Sequence, residues 1–439
     1  MQYYSTSRQS PGVSFKDAAI RGQAPDKGLY FPARIPALSA EFLKELPALS
    51  REEVAFRVIQ PYVGNAIPIP ELKRIVAETV DFPFPLVPVK DKVYALELYH
   101  GPTLAFKDVG ARFLSRCLGY FMKSNATGRP AQKITVLVAT SGDTGGAVAN
   151  GFHNVEGVEV LILYPSGKVS SLQELQLTTL GGNITALEVN GSFDDCQALV
   201  KQAFADASLN DQLFLTSANS INIARWLSQQ FYYFFAWQQW EDKNNPPVIC
   251  VPSGNFGNIC AGILAAHSGL PVRHFIAACN ANDVVPAYLA SGHYSPKQSV
   301  STISNAMDVG NPSNFVRVLE IFNREFSAFK SRVSSCSISD EQTKASLLAL
   351  YKEHHYLADP HGAVGFAALD LYLSDHPDEK GIVLETAHPI KFYDVVEPLT
   401  GEKIAVPDSL KGLLKKEKQS IPIEKDYAAL KDILISGQR

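Results

Sequence analysis

The sequence predicts an α/β protein: two doubly wound, parallel-sheet domains with an accessory domain ahead of them. Three observations lead there. Short runs of Val, Ile and Leu without polar alternation, at 134–138, 158–163, 184–189, 248–251 and 274–279, read as strands buried on both faces. Each is followed by apolar residues at helical spacing, and strand–helix alternation on this scale builds parallel sheets. The turns from strand to helix concentrate Gly, Ser, Thr and Asn, at the sheet end where open α/β folds hold ligands.

Residues 1–91 alternate short helical patterns, at 39–46 and 52–58, with proline-punctuated turns such as Ile67-Pro68-Ile69-Pro70 and Phe82-Pro83-Phe84-Pro85. They are expected to form an N-terminal accessory domain ending in an extended linker. The next domain is expected over 92–245. It opens with a helix carrying Lys107, for which Thr103 is the expected N-cap, because Phe106, Phe113, Leu114, Cys117, Tyr120 and Phe121 recur at roughly helical spacing. Strands at 134–138, 158–163, 184–189 and 213–215 follow, with helices at 147–152, 172–180 and 194–207. A long aromatic helix reaches Trp240. After Asn244-Asn245-Pro246-Pro247, a second α/β domain is expected over 246–400, with strands at 248–251, 274–279 and 381–384. Its helices fall at 259–267, 314–326 and 340–354. The Lys/Glu-rich tail, 401–439, reads as a solvated helix packed on the rest.

At 439 residues the chain exceeds one simple core. A net charge of -4 and the lack of a dense Lys/Arg stripe count against a nucleic-acid partner. A small molecule is the expected ligand, and the chain a monomer or small homo-oligomer. The six cysteines show no CxxC pair and no metal-ligand spacing to histidine, so they are expected as reduced thiols, with no metal site. The first residues lack the apolar core of a signal peptide and no apolar run is long enough for a bilayer, so a cytoplasmic protein without a membrane partner is expected.

Four loops fall at the ligand end of the sheets. Gly254, Asn255, Phe256, Gly257 and Asn258 follow a strand and open a helix, so their backbone N–H groups can cradle a phosphate. Ser141, Gly142, Asp143 and Thr144 form a second nest suited to a carboxylate. Ser217, Asn219, Ser220 and Asn222 precede Arg225, a possible bidentate anion clamp. Thr386 lies in the fourth loop. Neither GxGxxG with a downstream acid nor GxxxxGK[ST] is present, which disfavours dinucleotide and P-loop readings. A lysine at a helix N-terminus among apolar residues should have a depressed pKa, as Schiff-base chemistry requires. A lone lysine there is most simply a surface cation; with two phosphate-capable loops and a carboxylate nest it points to a pyridoxal phosphate enzyme acting on a phosphorylated amino acid.

Taken together, His100-Gly101-Pro102-Thr103-Leu104-Ala105-Phe106-Lys107-Asp108, Ala139-Thr140-Ser141-Gly142-Asp143-Thr144-Gly145, Ser217-Ala218-Asn219-Ser220-Ile221-Asn222, Val251-Pro252-Ser253-Gly254-Asn255-Phe256-Gly257-Asn258, Ser304-Asn305-Ala306-Met307-Asp308 and Thr386-Ala387-His388-Pro389 resemble the threonine synthases, in the branch with a substantial N-terminal domain. The resemblance runs over nearly the whole chain. It implies fold type II of the pyridoxal phosphate enzymes and conversion of O-phospho-L-homoserine and water to L-threonine and phosphate, the last step of threonine biosynthesis. It also implies Lys107 as the cofactor-attaching lysine and proton shuttle, and 254–258 as the cofactor's phosphate cup. Thr386 would face the pyridine nitrogen, and Asp143 would lie near the ring hydroxyl. Ser141, Gly142 and Thr144 would serve the substrate carboxylate, and Thr103 would join them in binding substrate. Ser217, Asn219, Ser220, Asn222 and Arg225 would serve the leaving phosphate. The competing expectations are a dehydratase or β-replacement enzyme of the same fold type, and a non-catalytic protein that binds a phosphorylated ligand.

Overall fold

The structure, a computed structural model, describes residues 1–124 and 133–436; the last three residues of the expected tail lie outside the described ones. Two parallel sheets dominate. One has five strands in the order Ile421–Glu424, Ile184–Asn190, Val158–Pro165, Ile134–Ala139 and Phe214–Thr216, all parallel. The other has six, in the order Val333–Ser337, His274–Cys279, Val248–Pro252, Gly381–Glu385, Val93–Glu97 and Leu86–Lys90, with only the last pair antiparallel. Every residue of the strands Ile134–Ala139, Val248–Pro252 and Gly381–Glu385 is buried, as their unbroken apolar runs require of strands covered on both faces. The N-terminal residues add a small antiparallel sheet, Val13–Ser14, Gln2–Ser5 and Tyr30–Pro32.

The expected divisions at 91/92 and 400/401 cut across this hydrogen bonding. Leu86–Lys90 and Val93–Glu97, expected on either side of the first division, pair with each other and extend the six-stranded sheet through Gly381–Glu385. Pro88, which has no N–H to give, is accommodated because its strand is an edge. Ile421–Glu424, expected as part of a helical tail, is the edge strand of the five-stranded sheet; the helix Tyr427–Ser436 follows it and buries Leu430 and Leu434.

Several helices differ from expectation for local reasons. The aromatic helix is two, Ile223–Ser228 and Gln230–Gln239. At the break, Ser228 Oγ donates to the Ala224 carbonyl and Gln229 Nε2 to that of Arg225, so side chains compete for backbone acceptors. The helix expected over 314–326 is likewise Phe315–Ile321 and Phe326–Arg332, parted by Asn323 and Arg324 in the left-handed region. Gln230–Gln239 is buried on all sides through Trp237, as a helix without a polar face must be. It packs on Arg51–Val63 of the N-terminal part and on Gly257–His267 behind the glycine loop. At the second contact a Cβ on Gly262 would lie 2.2 Å from the Tyr233 ring, so only glycine permits the approach.

Five of the six cysteines are buried, none is in a disulfide, and burial pushes all six thiols up. Among the described residues no helix is long and apolar enough to cross a membrane.

Candidate active site

A cavity of about 410 Å³ lies at the carboxyl ends of the strands Ile134–Ala139 and Val248–Pro252, as the topology of open α/β sheets requires. Lys107, Ser141, Asp143, Thr144, Asn219, Ser220, Arg225, Gly254, Asn255, Phe256, Gly257, Asn258 and Thr386 all line it. Four sequence-predicted residues do not. Asn222 is the N-cap of Ile223–Ser228, its amide donating to the carbonyls of Ala19 and Ser217, and Ser217 Oγ accepts from the Asn219 N–H. Gly142, at φ 135°, is the residue before the helix Asp143–Phe152, with the Gln173 side chain against its Cα.

Thr103 is the fourth, and it is not a helix cap. The helix Lys107–Ser124 begins four residues later, because Leu104 takes a left-handed φ of 58° and the chain then runs alongside the segment after Gly381–Glu385. The Phe106 N–H donates to the Thr386 carbonyl (2.8 Å) and the His388 N–H to that of Leu104 (3.0 Å), with an antiparallel bridge at Ala105 and Ala387. Thr103 instead donates from its N–H and hydroxyl to the buried Asp108 carboxylate. The backbone next to Lys107 is thereby clipped to Thr386, fixing their separation across the cavity.

Lys107 is the first residue of its helix, and its side chain is 17% exposed, within the cavity. Burial lowers its pKa; the Asp143 carboxylate opposes that, and the charges of Lys391 and Arg225 add to the lowering. Asp143 Oδ2 lies 3.6 Å from Lys107 Nζ, while Oδ1 accepts from Lys391 Nζ (2.8 Å) and Gln173 Nε2 (2.9 Å). Burial works to raise the Asp143 carboxyl, but Lys391 and Lys107 beside it hold it well below the usual carboxylate range. Sequence reasoning missed Lys391 and Gln173. The signals were present: a lysine inside the apolar run Pro389-Ile390-Lys391-Phe392, and a Ser170–Gln173 capping box whose glutamine has a spare amide nitrogen.

The glycine loop has the geometry of an anion site. Phe256, at φ 62°, precedes the helix Gly257–His267 without a side-chain cap, so the first N–H groups of an eleven-residue helix meet the cavity. Holding a phenylalanine in that region is strain of the kind stored at ligand sites. Asn258 adds a donor: its Oδ1 accepts from Tyr233 Oη (3.0 Å), while its buried Nδ2 has no partner. Gly254 is required by space, since a Cβ there would lie 2.8 Å from Met307 Cα. A second cationic locus is Arg225, 2% exposed, whose Nη1 donates to the Ala218 carbonyl and whose Nε is unpartnered. Its pKa is lowered by burial to about 10, so it stays a cation at neutral pH.

This donor set fits pyridoxal phosphate. An amine of depressed pKa suits the aldehyde, uncapped N–H groups and the orphan Asn258 amide suit the phosphate, and Thr386 supplies a neutral hydroxyl on the cavity wall.

Three family models match: threonine synthase N terminus over residues 2–80, pyridoxal-phosphate dependent enzyme over 80–385, and threonine synthase, C-terminal, over 362–434. The chain is 43% identical over 439 residues to threonine synthase from Haemophilus influenzae, covering all of both chains. It superposes on the crystal structure of threonine synthase from Escherichia coli with a TM-score of 0.91 at 42% identity, and on pyridoxal-phosphate-bound threonine synthase from Brucella melitensis with 0.92 at 34%, in each case covering 100% of both chains. Full-length likeness at this level shows that the chain belongs to the threonine synthase family of pyridoxal-phosphate-dependent enzymes.

Proposed function

We propose that this threonine synthase takes O-phospho-L-homoserine and water to L-threonine and phosphate, with Lys107 as the lysine that attaches the cofactor and then carries the protons. The observation that carries the substrate reading is the second anion locus. One phosphate-capable helix start serves the cofactor; Arg225, a buried cation that lines the same cavity with Asn219 and Ser220, supports a second anion locus. A dehydratase acting on serine would have no use for it.

When bound, the cofactor withdraws electrons from the substrate carbons. The protein does the rest. The Ser141 and Thr144 hydroxyls, with the N–H groups at the start of Asp143–Phe152, receive the substrate carboxylate. Arg225, Asn219 and Ser220 hold the phosphate and stabilise it as it departs from Cγ. The Lys107 amine, kept available by its depressed pKa, removes the proton at Cα and one at Cβ as phosphate leaves Cγ, returns a proton to Cγ, and, once water has added its hydroxyl at Cβ, returns one to Cα. Thr386, on the cavity wall, would offer the cofactor ring a neutral hydroxyl, which would make the demand on Lys107 as a base greater than an ionised partner would.

Purified protein mixed with O-phospho-L-homoserine should release phosphate and form threonine, and Lys107→Ala should abolish both while leaving the melting temperature unchanged. Deamination of serine without phosphate release from O-phosphohomoserine would overturn the substrate assignment. A Lys107→Ala protein turning over at the parent rate would overturn the lysine's role.

A further inference from the structure

Two lysines meet at the single Asp143 carboxylate, and they are held differently. Lys391 is fully buried in the turn Pro389–Phe392, and its three ammonium protons have three acceptors: Asp143 Oδ1 at 2.8 Å, the Thr103 carbonyl at 2.8 Å and Gln176 Oε1 at 2.9 Å. Lys107 opens on the cavity and faces the other carboxylate oxygen at 3.6 Å, an ion pair looser than the hydrogen-bonded one that Lys391 makes. Asp143's remaining neighbour, Gln173, is a neutral donor to Oδ1. The other charged group bearing on Lys107 is Arg225, on Ile223–Ser228. Asp108 is taken by Thr103 and feels Lys391 and Arg112.

We propose that Lys391 is a positioning residue that neutralises Asp143 and thereby keeps Lys107 free as an amine. With all three of its acceptors in place, the Lys391 side chain takes up most of the negative charge that would otherwise bear on Lys107. Lys391 also turns the carboxylate, drawing Oδ1 to itself and leaving Oδ2 toward Lys107. Ordinary packing needs no cation here; a methionine would fill the same volume. The inference rests on Lys107 being the attachment lysine.

The test is the pH dependence of cofactor uptake by the full-length chain freed of cofactor. The unprotonated amine bonds to the aldehyde carbon and water leaves, so the rate of yellow colour formation from added pyridoxal phosphate follows the free-amine fraction of Lys107. Borohydride trapping and peptide mapping fix the site. In Lys391→Met, the Asp143 charge bears on Lys107 alone, and the midpoint should rise by at least about one pH unit, slowing uptake about tenfold at neutral pH. An unchanged midpoint, with label still on Lys107, overturns the proposal. Should Lys391→Met fail to fold, Asp143→Asn decides: with the carboxylate gone and Lys391 still charged, the midpoint should fall, and one that stays or rises overturns it. Label trapped on another lysine refutes the attachment reading instead.

Discussion

Gly254→Ala tests the phosphate cup directly. The added Cβ would lie 2.8 Å from Met307 Cα, 3.2 Å from the Ala306 oxygen and 3.4 Å from the Met307 carbonyl carbon, all backbone atoms. Restoring an ordinary contact near 3.6 Å requires a movement of about 0.8 Å. The segment opposite cannot recoil freely. Asn280 Nδ2 donates to Ser304 and Asp308, Thr302 Oγ1 donates to Asp308 Oδ1 at 2.7 Å, and the Ala306 N–H donates to His361 Nε2 at 3.1 Å. The glycine loop therefore moves, carrying the N–H groups of Gly257–His267 away from the phosphate. Overpacking of this kind costs roughly 1–3 kcal/mol, which converts to a loss of cofactor affinity of about 5- to 150-fold. Spectrophotometric titration of the cofactor-free chain reads this directly, and its melting temperature reports the fold separately. Affinity within twofold of the parent would refute the idea that close approach of the two loops shapes the cup.

Arg225→Leu should raise KM for O-phospho-L-homoserine by about 10- to 100-fold, the loss of one or two charge-assisted hydrogen bonds, while cofactor affinity holds; steady-state kinetics with a spectral titration separates the two. Gly142→Ala should destabilise the fold by about 1–3 kcal/mol, because φ 135° and the Gln173 side chain 2.5 Å from the new Cβ both oppose it, and chemical denaturation measures the loss. Burial lowers His274 and His388 to about 4, so the unfolded chain binds their protons first. Their contribution to stability is complete above the ordinary histidine pKa of about 6.5 and is lost as pH falls from there toward 4. Melting temperature should drop across that window, and His274→Asn should flatten the drop.

The central strands and four ligand loops were legible because unbroken apolar runs and glycine-rich turns are local patterns. The strand His274–Cys279 and the helix Asp340–His354 match expectation at both ends. What escaped was set by partners distant in the chain. Val93–Glu97, just past the proline-rich linker, has no element assigned from its sequence and is a strand because Gly381–Glu385 offers it an edge. The Thr103 cap pattern is sound locally, but the bridge from Ala105 to Ala387 overrides it. Asn222 and Ser217 have the composition of ligand donors, yet their hydrogen-bonding capacity goes to the backbone. Lys391 was passed over because a single charge in an apolar run has no meaning until Asp143, Gln176 and Thr103 converge on it.

The edge strand Ile421–Glu424 pairs with Ile184–Asn190, with more than half of the chain between them. During synthesis from the N-terminus, the five-stranded sheet therefore emerges with one flank unpaired and stays so until residues 421–424 have been made. The nascent protein thus carries a sticky border throughout the making of its second sheet. A truncation that removes the C-terminal segment would leave that border permanently open, and such a fragment is expected to demand chaperones or aggregate even though Lys107, Asp143 and the glycine loop are all present.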